Sequence, residues 1–223
     1  MRGVAAVRAL SRTGELDDVA ANASMTPAEL ALELQHDPSM FVTSEGLVGF
    51  TEPIVGAADV ADDATAMPAA AIPADVFALD SRPSSTRVIY LDFTGHTTTG
   101  TYWNSNYGIS SIESGPYDLD GNAGAFSSTE QQRIHDIWRI VADDYAPFDV
   151  NVTTRDPGVE GLRKTSSGDV SYGRRVVVTP SDWYYAARNS RIGGIAVVDV
   201  FSSSSDQPAF VFSSNLAGGA VKS

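Results

Sequence analysis

The chain of 223 residues contains no cysteine, which excludes disulfides, thiolate metal sites and cysteine nucleophiles together. Histidine is almost as scarce. The three present, His36, His96 and His135, share no metal-ligand spacing such as i,i+4 on one helix, and each reads as a hydrogen-bonded or solvated imidazole. Positive charge is also short: 15 Lys and Arg stand against 28 Asp and Glu, for a net charge of −13. That field repels polyphosphates and no Lys/Arg run relieves it locally, so nucleic acid is not an expected partner. No apolar run approaches the ~20 residues that span a bilayer. At the N-terminus, Arg8 breaks the apolar stretch of MRGVAAVRAL too early for a signal peptide.

What remains is globular material. Hydrophobic residues make up 43% and charged ones 19% of the chain, enough apolar surface for one domain with a small appendage. Residues 1–54 read as that appendage. In SMTPAEL, Thr26 is an N-cap, Pro27 takes the first helical position and Glu29 completes a capping box. Leu30 and Leu34 then share a face until Asp37-Pro38 ends the helix. A hairpin pattern follows, from Met40 to Thr43 and from Leu47 to Phe50 around Ser44-Glu45-Gly46. So small a unit buries little area and is expected to dock on something larger. Residues 55–86, rich in Ala, Asp and Pro, read as a linker.

The main domain is expected over 87–223. Val88-Ile89-Tyr90-Leu91 is apolar on both faces, as in a central strand. Ser127 caps a helix through a capping box with Glu130, and Ile134, Ile137, Trp138, Val141 and Tyr145 form its apolar stripe, which places Trp138 between helix and sheet. Strand patterns follow at 149–154, 175–179, 195–201 and 209–213. Together these predict an α+β fold: a mixed, mostly parallel sheet with a long packed helix, preceded by a small helix-hairpin unit.

Few side chains suggest chemistry. In YDLDGNAG, Asp118, Asp120 and Asn122 alternate as oxygen ligands of a calcium loop do. However, Gly121 comes too early for an EF-hand and Thr129 stands where the bidentate Glu belongs, so an Asx-turn loop without metal accounts for the same residues. Asp92, ending the first strand, is a turn-capping Asp or a cation ligand. Ser202 to Ser205 lack a G-x-S-x-G elbow and a base, and read as a polar hairpin loop. Asp143 and Asp144 read as a solvated helix end, since adjacent residues do not face each other on a helix.

A resemblance adds to this reading. RVIYLDFTGHTTTGTYWN, AFSSTEQQRIHDIWRIVADDYAPFDVNVTT, GGIAVVDVF and PAFVFSSNL, in that order over roughly residues 87–216, resemble the N-terminal part of secreted bacterial zinc metalloproteases of the metzincin type. YAPFDVNVTT is the most specific piece. The segment LDDVAANASMTPAELALELQHDPSMFVTSEGLVGFTEP resembles the region that precedes such catalytic domains. The resemblance implies a zincin-like fold, secretion, a peptide or protein substrate, and peptide-bond hydrolysis by a zinc-activated water. It also implies an HExxHxxGxxH helix after the strand Ala209 to Ser213, and that motif is not found through Ser223. No residue is therefore expected as zinc ligand or catalytic base, and the chain is expected to be an inactive N-terminal fragment. The alternative is a non-catalytic extracellular module that binds peptides or proteins on the same sheet.

By the same resemblance, GGIAVVDVF is the edge strand that pairs with extended substrate, with Gly193, Gly194, Ile195 and Ala196 nearest the cleft. An ordinary edge strand is the other reading. Without the following helix, Phe210 and Phe212 are expected to lose part of their cover.

Overall fold

The computed structural model describes residues 1–54 and 73–216. Its first unit is a helical triplet, α1 (Gly3–Thr13), α2 (Leu16–Asn22) and α3 (Pro27–His36), followed by a hairpin of β1 (Met40–Val42) and β2 (Val48–Glu52). Thr26 and Glu29 form the expected capping box at the start of α3. Leu10, Leu30, Leu34, Met40 and Val48 close a small core of their own.

The second unit begins with β3 (Arg87–Asp92), β4 (His96–Thr98), α4 (Tyr102–Tyr107) and β5 (Ile112–Ser114). The long helix α5 (Ser128–Asp144) follows, opened by the Ser127–Glu130 capping box. After it come β6 (Asn151–Thr153), β7 (Tyr172–Thr179), α6 (Trp183–Arg188), β8 (Gly194–Val197) and β9 (Ala209–Phe212). The fold is α+β, as its sequence pattern predicts.

One seven-stranded sheet runs through both units in the order β1-β2-β8-β9-β7-β3-β6, beside a small β4-β5 hairpin. From β9 to β6 every pairing is parallel, and from β1 to β9 every pairing is antiparallel. The sheet is therefore mixed and not mostly parallel as expected: the parallel pairings are confined to β9, β7, β3 and β6, β8 of the main domain already runs antiparallel to β9, and the N-terminal hairpin extends that antiparallel side. Docking is done through the backbone ladder, with Phe41 lodged in the core of the main domain against Trp103.

Of the segment expected as linker, 55–72 lie outside the described residues. From residue 73 onward the chain is laid against the main domain instead of spanning a gap. Val76 and Leu79 are buried, Leu79 N–H donates to Thr154 Oγ1 at 3.0 Å, and an Asp80–Thr153 bridge covers the outer edge of β6. Apolar side chains and an unpaired strand edge together give this segment a place to bind.

The two faces of the sheet are covered differently. α5 lies over β3, β6 and β7, where Ile134 and Ile137 meet Ile89, Leu91, Val152 and Val178. Trp138 is half-buried there, its Nε1 donating to Val152 O at 2.9 Å. On the opposite face α4 and α6 bring Trp103 and Trp183 onto Val177, Ile195, Phe210 and Phe212. This corrects the expectation for the last strand: Phe210 and Phe212 are fully buried, because a short Asp182-capped helix that periodicity alone does not reveal carries Trp183 over them. The residues of β9 left partly open are Ala209 and Val211.

Candidate peptide-binding strand

The neighbours of β8 press closely on it. Gly194 has Phe210 O only 2.7 Å from where a Cβ would stand, and at Gly193 a Cβ would meet Leu216 Cδ2 at 2.8 Å. At Gly194 glycine lets backbone approach backbone, whereas at Gly193 the close neighbours are side-chain atoms of Leu216 and Glu52. Ile195 points into the aromatic core and Ala196 is half-exposed on the other face.

The strand is not an edge. One side pairs with β9, Gly194 to Val211 and Ile195 to Phe210. The other, expected to be free for substrate, pairs antiparallel with β2 over Gly49–Val197, Phe50–Ala196, Thr51–Ile195 and Glu52–Gly194. Gly193 N–H adds a bond to Glu52 O at 2.8 Å, and Val198 N–H one to Val48 O at 2.9 Å. The reason is local complementarity. Gly49 lacks the Cβ that would strike Phe41 Cζ at 2.5 Å and Ala196 O at 2.6 Å, so hairpin and strand close on each other. A cleft of about 440 Å³ remains beside this ladder, walled by Phe50, Glu52, Gly193, Gly194 and Ala196.

The acidic loop resolves into turns. Asp118 Oδ1 accepts from the N–H groups of Asp120 at 3.0 Å and Gly121 at 2.7 Å, and Asp120 Oδ1 accepts from Asn122 N–H at 3.0 Å. Glu130, from the start of α5, adds a third carboxylate, and one oxygen from each of Asp118, Asp120 and Glu130 lies within 4.8 Å of the others. Among the described residues this is the one grouping of His, Asp and Glu able to hold an ion. Asn122 engages by backbone only, its carbonyl accepting from Ala125 N–H at 3.2 Å. Burial works against charge on Glu130, but the N–H groups of Leu119, Ser127 and Asp120 and the Ser127 hydroxyl outweigh it and hold its carboxyl below the usual range.

Zinc does not fit the residues present. The acidic grouping offers carboxylates without imidazole, and His36, His96 and His135 form no group. His36 bonds to Leu32 O within its own helix. His96 is half-buried on β4, and desolvation lowers its pKa. His135 is buried and stacked on Trp138, with its Nδ1 unpartnered, and desolvation lowers its pKa as well.

Asp92 is a turn-capping residue whose cation is supplied by the protein. Its Oδ1 accepts from Thr94 N–H and hydroxyl at 3.0 and 2.9 Å, and its Oδ2 from Arg175 Nη1 at 2.5 Å. Arg175 Nε also reaches Asp206 Oδ2 at 2.8 Å. The buried Arg174 and Arg175 of β7 were not expected from the sequence; a pair of arginines opening an otherwise apolar strand is the signal that marks them.

No helix among the described residues is long and apolar enough to cross a membrane. Comparison with protein-family models, with characterised proteins and with solved structures returns no match.

Proposed function

We propose that the sheet binds extended peptide along β8 and that residues 1–54 stand in the peptide's place. On this reading residues 1–223 are an N-terminal, substrate-binding part of a secreted zinc endopeptidase of the metzincin type, latent and without activity of their own. One observation supports it above the others: the Val48–Glu52 strand lies antiparallel on Gly194–Val197, the geometry by which a sheet takes up a peptide through backbone hydrogen bonds. The residues that carry the resemblance to metzincins motivate the enzymatic part, and no residue of this chain is assigned to metal or to bond cleavage.

A second reading, a non-catalytic extracellular module that binds peptides or proteins on the same sheet, draws on the dispersed histidines. Both need β8 to accept a strand. A protease site placed within 55–72 allows the N-terminal unit to be released from the folded chain. A labelled peptide with the sequence of residues 46–54 is then expected to bind one per chain after cleavage and not before. Absence of binding after release overturns both readings. Expressing the gene's full reading frame separates them: chelator-sensitive casein cleavage supports the endopeptidase, and its absence leaves the binding module.

A further inference from the structure

A second groove opens on the α5 face of the sheet, beyond the helix end, where Tyr145 and Phe148 overhang the partly open strands. It measures about 590 Å³, within the roughly 300–1,000 Å³ typical of small-molecule sites. Ile89, Val150, Val176, Val197, Phe201 and Ala209 make its surface apolar. Three charged residues interrupt that surface, and two of them cancel: Arg87 Nη1 lies 3.4 Å from Asp149 Oδ2.

The third is Arg174, which is 8% exposed. Its Nη2 donates to the Tyr102 hydroxyl at 2.8 Å, while its Nη1 is buried with no hydrogen-bond partner. Arg174 takes part in none of the ion pairs among the described residues, whereas its neighbour Arg175 has two carboxylates. Tyr102 does not compensate the charge, since burial pushes its pKa up and keeps the phenol neutral. A guanidinium does not shed its proton, so a buried one lacking an anion carries charge that the fold has desolvated without replacing its solvation.

We propose that this groove binds an apolar monocarboxylate, a medium-chain fatty acid, with the alkyl chain along Ile89, Val150, Val176 and Phe201 and the carboxylate as counter-charge to Arg174. One unpaired cation among apolar walls matches one carboxylate on a hydrocarbon chain. A polyphosphate would find a single cation in a chain of net charge −13, and a purely apolar partner would leave the guanidinium unpaired.

The probe is decanoate, titrated calorimetrically into the whole chain at neutral pH and below its micelle concentration, beside decanol and acetate. One decanoate per chain is expected, with decanol bound about 10- to 100-fold more weakly, the range for losing a hydrogen bond to a charged group, and acetate, which keeps the charge but gives up the buried alkyl chain, showing no saturable binding. Arg174→Gln is expected to weaken decanoate by a similar factor and leave decanol unchanged. Ala209→Leu, which fills the groove and keeps Arg174, is expected to weaken both, and it carries the test if Arg174→Gln fails to fold. Equal affinity for decanol and decanoate, undiminished decanoate binding by either variant, or no saturable binding of decanoate overturns the proposal.

Discussion

Phe50 and Ala196 stand opposite each other across the β2–β8 ladder, and the Phe50 ring is left 38% exposed on the open side of the sheet. The pair joins the N-terminal unit to the strand that sequence resemblance assigns to substrate. The hairpin is held by backbone geometry at Gly49 and by Phe41 in the aromatic core, and very little by its own exposed ring.

Gly49→Val should therefore loosen the hairpin selectively. The added atoms meet Phe41 and Ala196 O, and overpacking of this kind costs about 1–3 kcal/mol. Hydrogen exchange is expected to speed up in Gly194–Val197 while β3 stays protected. Unchanged protection of β8 would show that the ladder tolerates a side chain there.

Trp138 ties α5 to the sheet by both its ring and its Nε1 bond to Val152 O. Truncation to alanine is expected to cost about 3 kcal/mol, the lower end for large aromatic residues because the side chain is only half-buried. A denaturant midpoint equal to that of the parent chain would mean that the helix does not depend on this contact.

Arg175 neutralises two carboxylates in a nearly dry setting, Asp92 and Asp206. Arg175→Met should destabilise by about 3–5 kcal/mol, since buried charges are left unpaired. Adding Asp92→Asn and Asp206→Asn should recover part of that loss. A triple variant no more stable than Arg175→Met would place the cost in packing and not in charge.

Acid should unfold the chain in two stages. Desolvation holds His135 below its ordinary value of 6.5, so the unfolded chain takes up that proton first and stability falls as pH drops below about 6.5. Glu130 is held below 4.5; its contribution is complete above that value and is lost as pH falls through the lower folded pKa. His135→Phe should reduce the first stage, which His96 shares, and Glu130→Gln should reduce the second, which Asp80 shares, read from urea midpoints across the pH range. An unaltered profile in His135→Phe would assign the first stage to His96 alone.

The chain of residues 1–223 is expected to hold no stoichiometric zinc and to leave casein intact, because its three histidines form no group. Metal analysis finding one tightly held zinc per chain, with chelator-blocked cleavage, would contradict this.

Local pattern determined much of the outcome. Capping boxes at Thr26 and Ser127, the apolar stripe of α5 and the doubly apolar run of β3 are short-range signals, and each element forms where its signal lies. Charge and the missing cysteines likewise set limits that no folding could alter. α4 and α6 escaped notice because six residues are too few to display a helical period. What only the tertiary structure decided is which groups meet. β8 reads as an edge until a hairpin far along the chain pairs with it, Glu130 reads as a helix cap until the Asp118 loop folds beside it, and Arg174 has no reading at all until Tyr102 closes over one of its nitrogens. Pairing, burial and the absence of a counter-ion are relations between distant residues, and no stretch of sequence contains both partners.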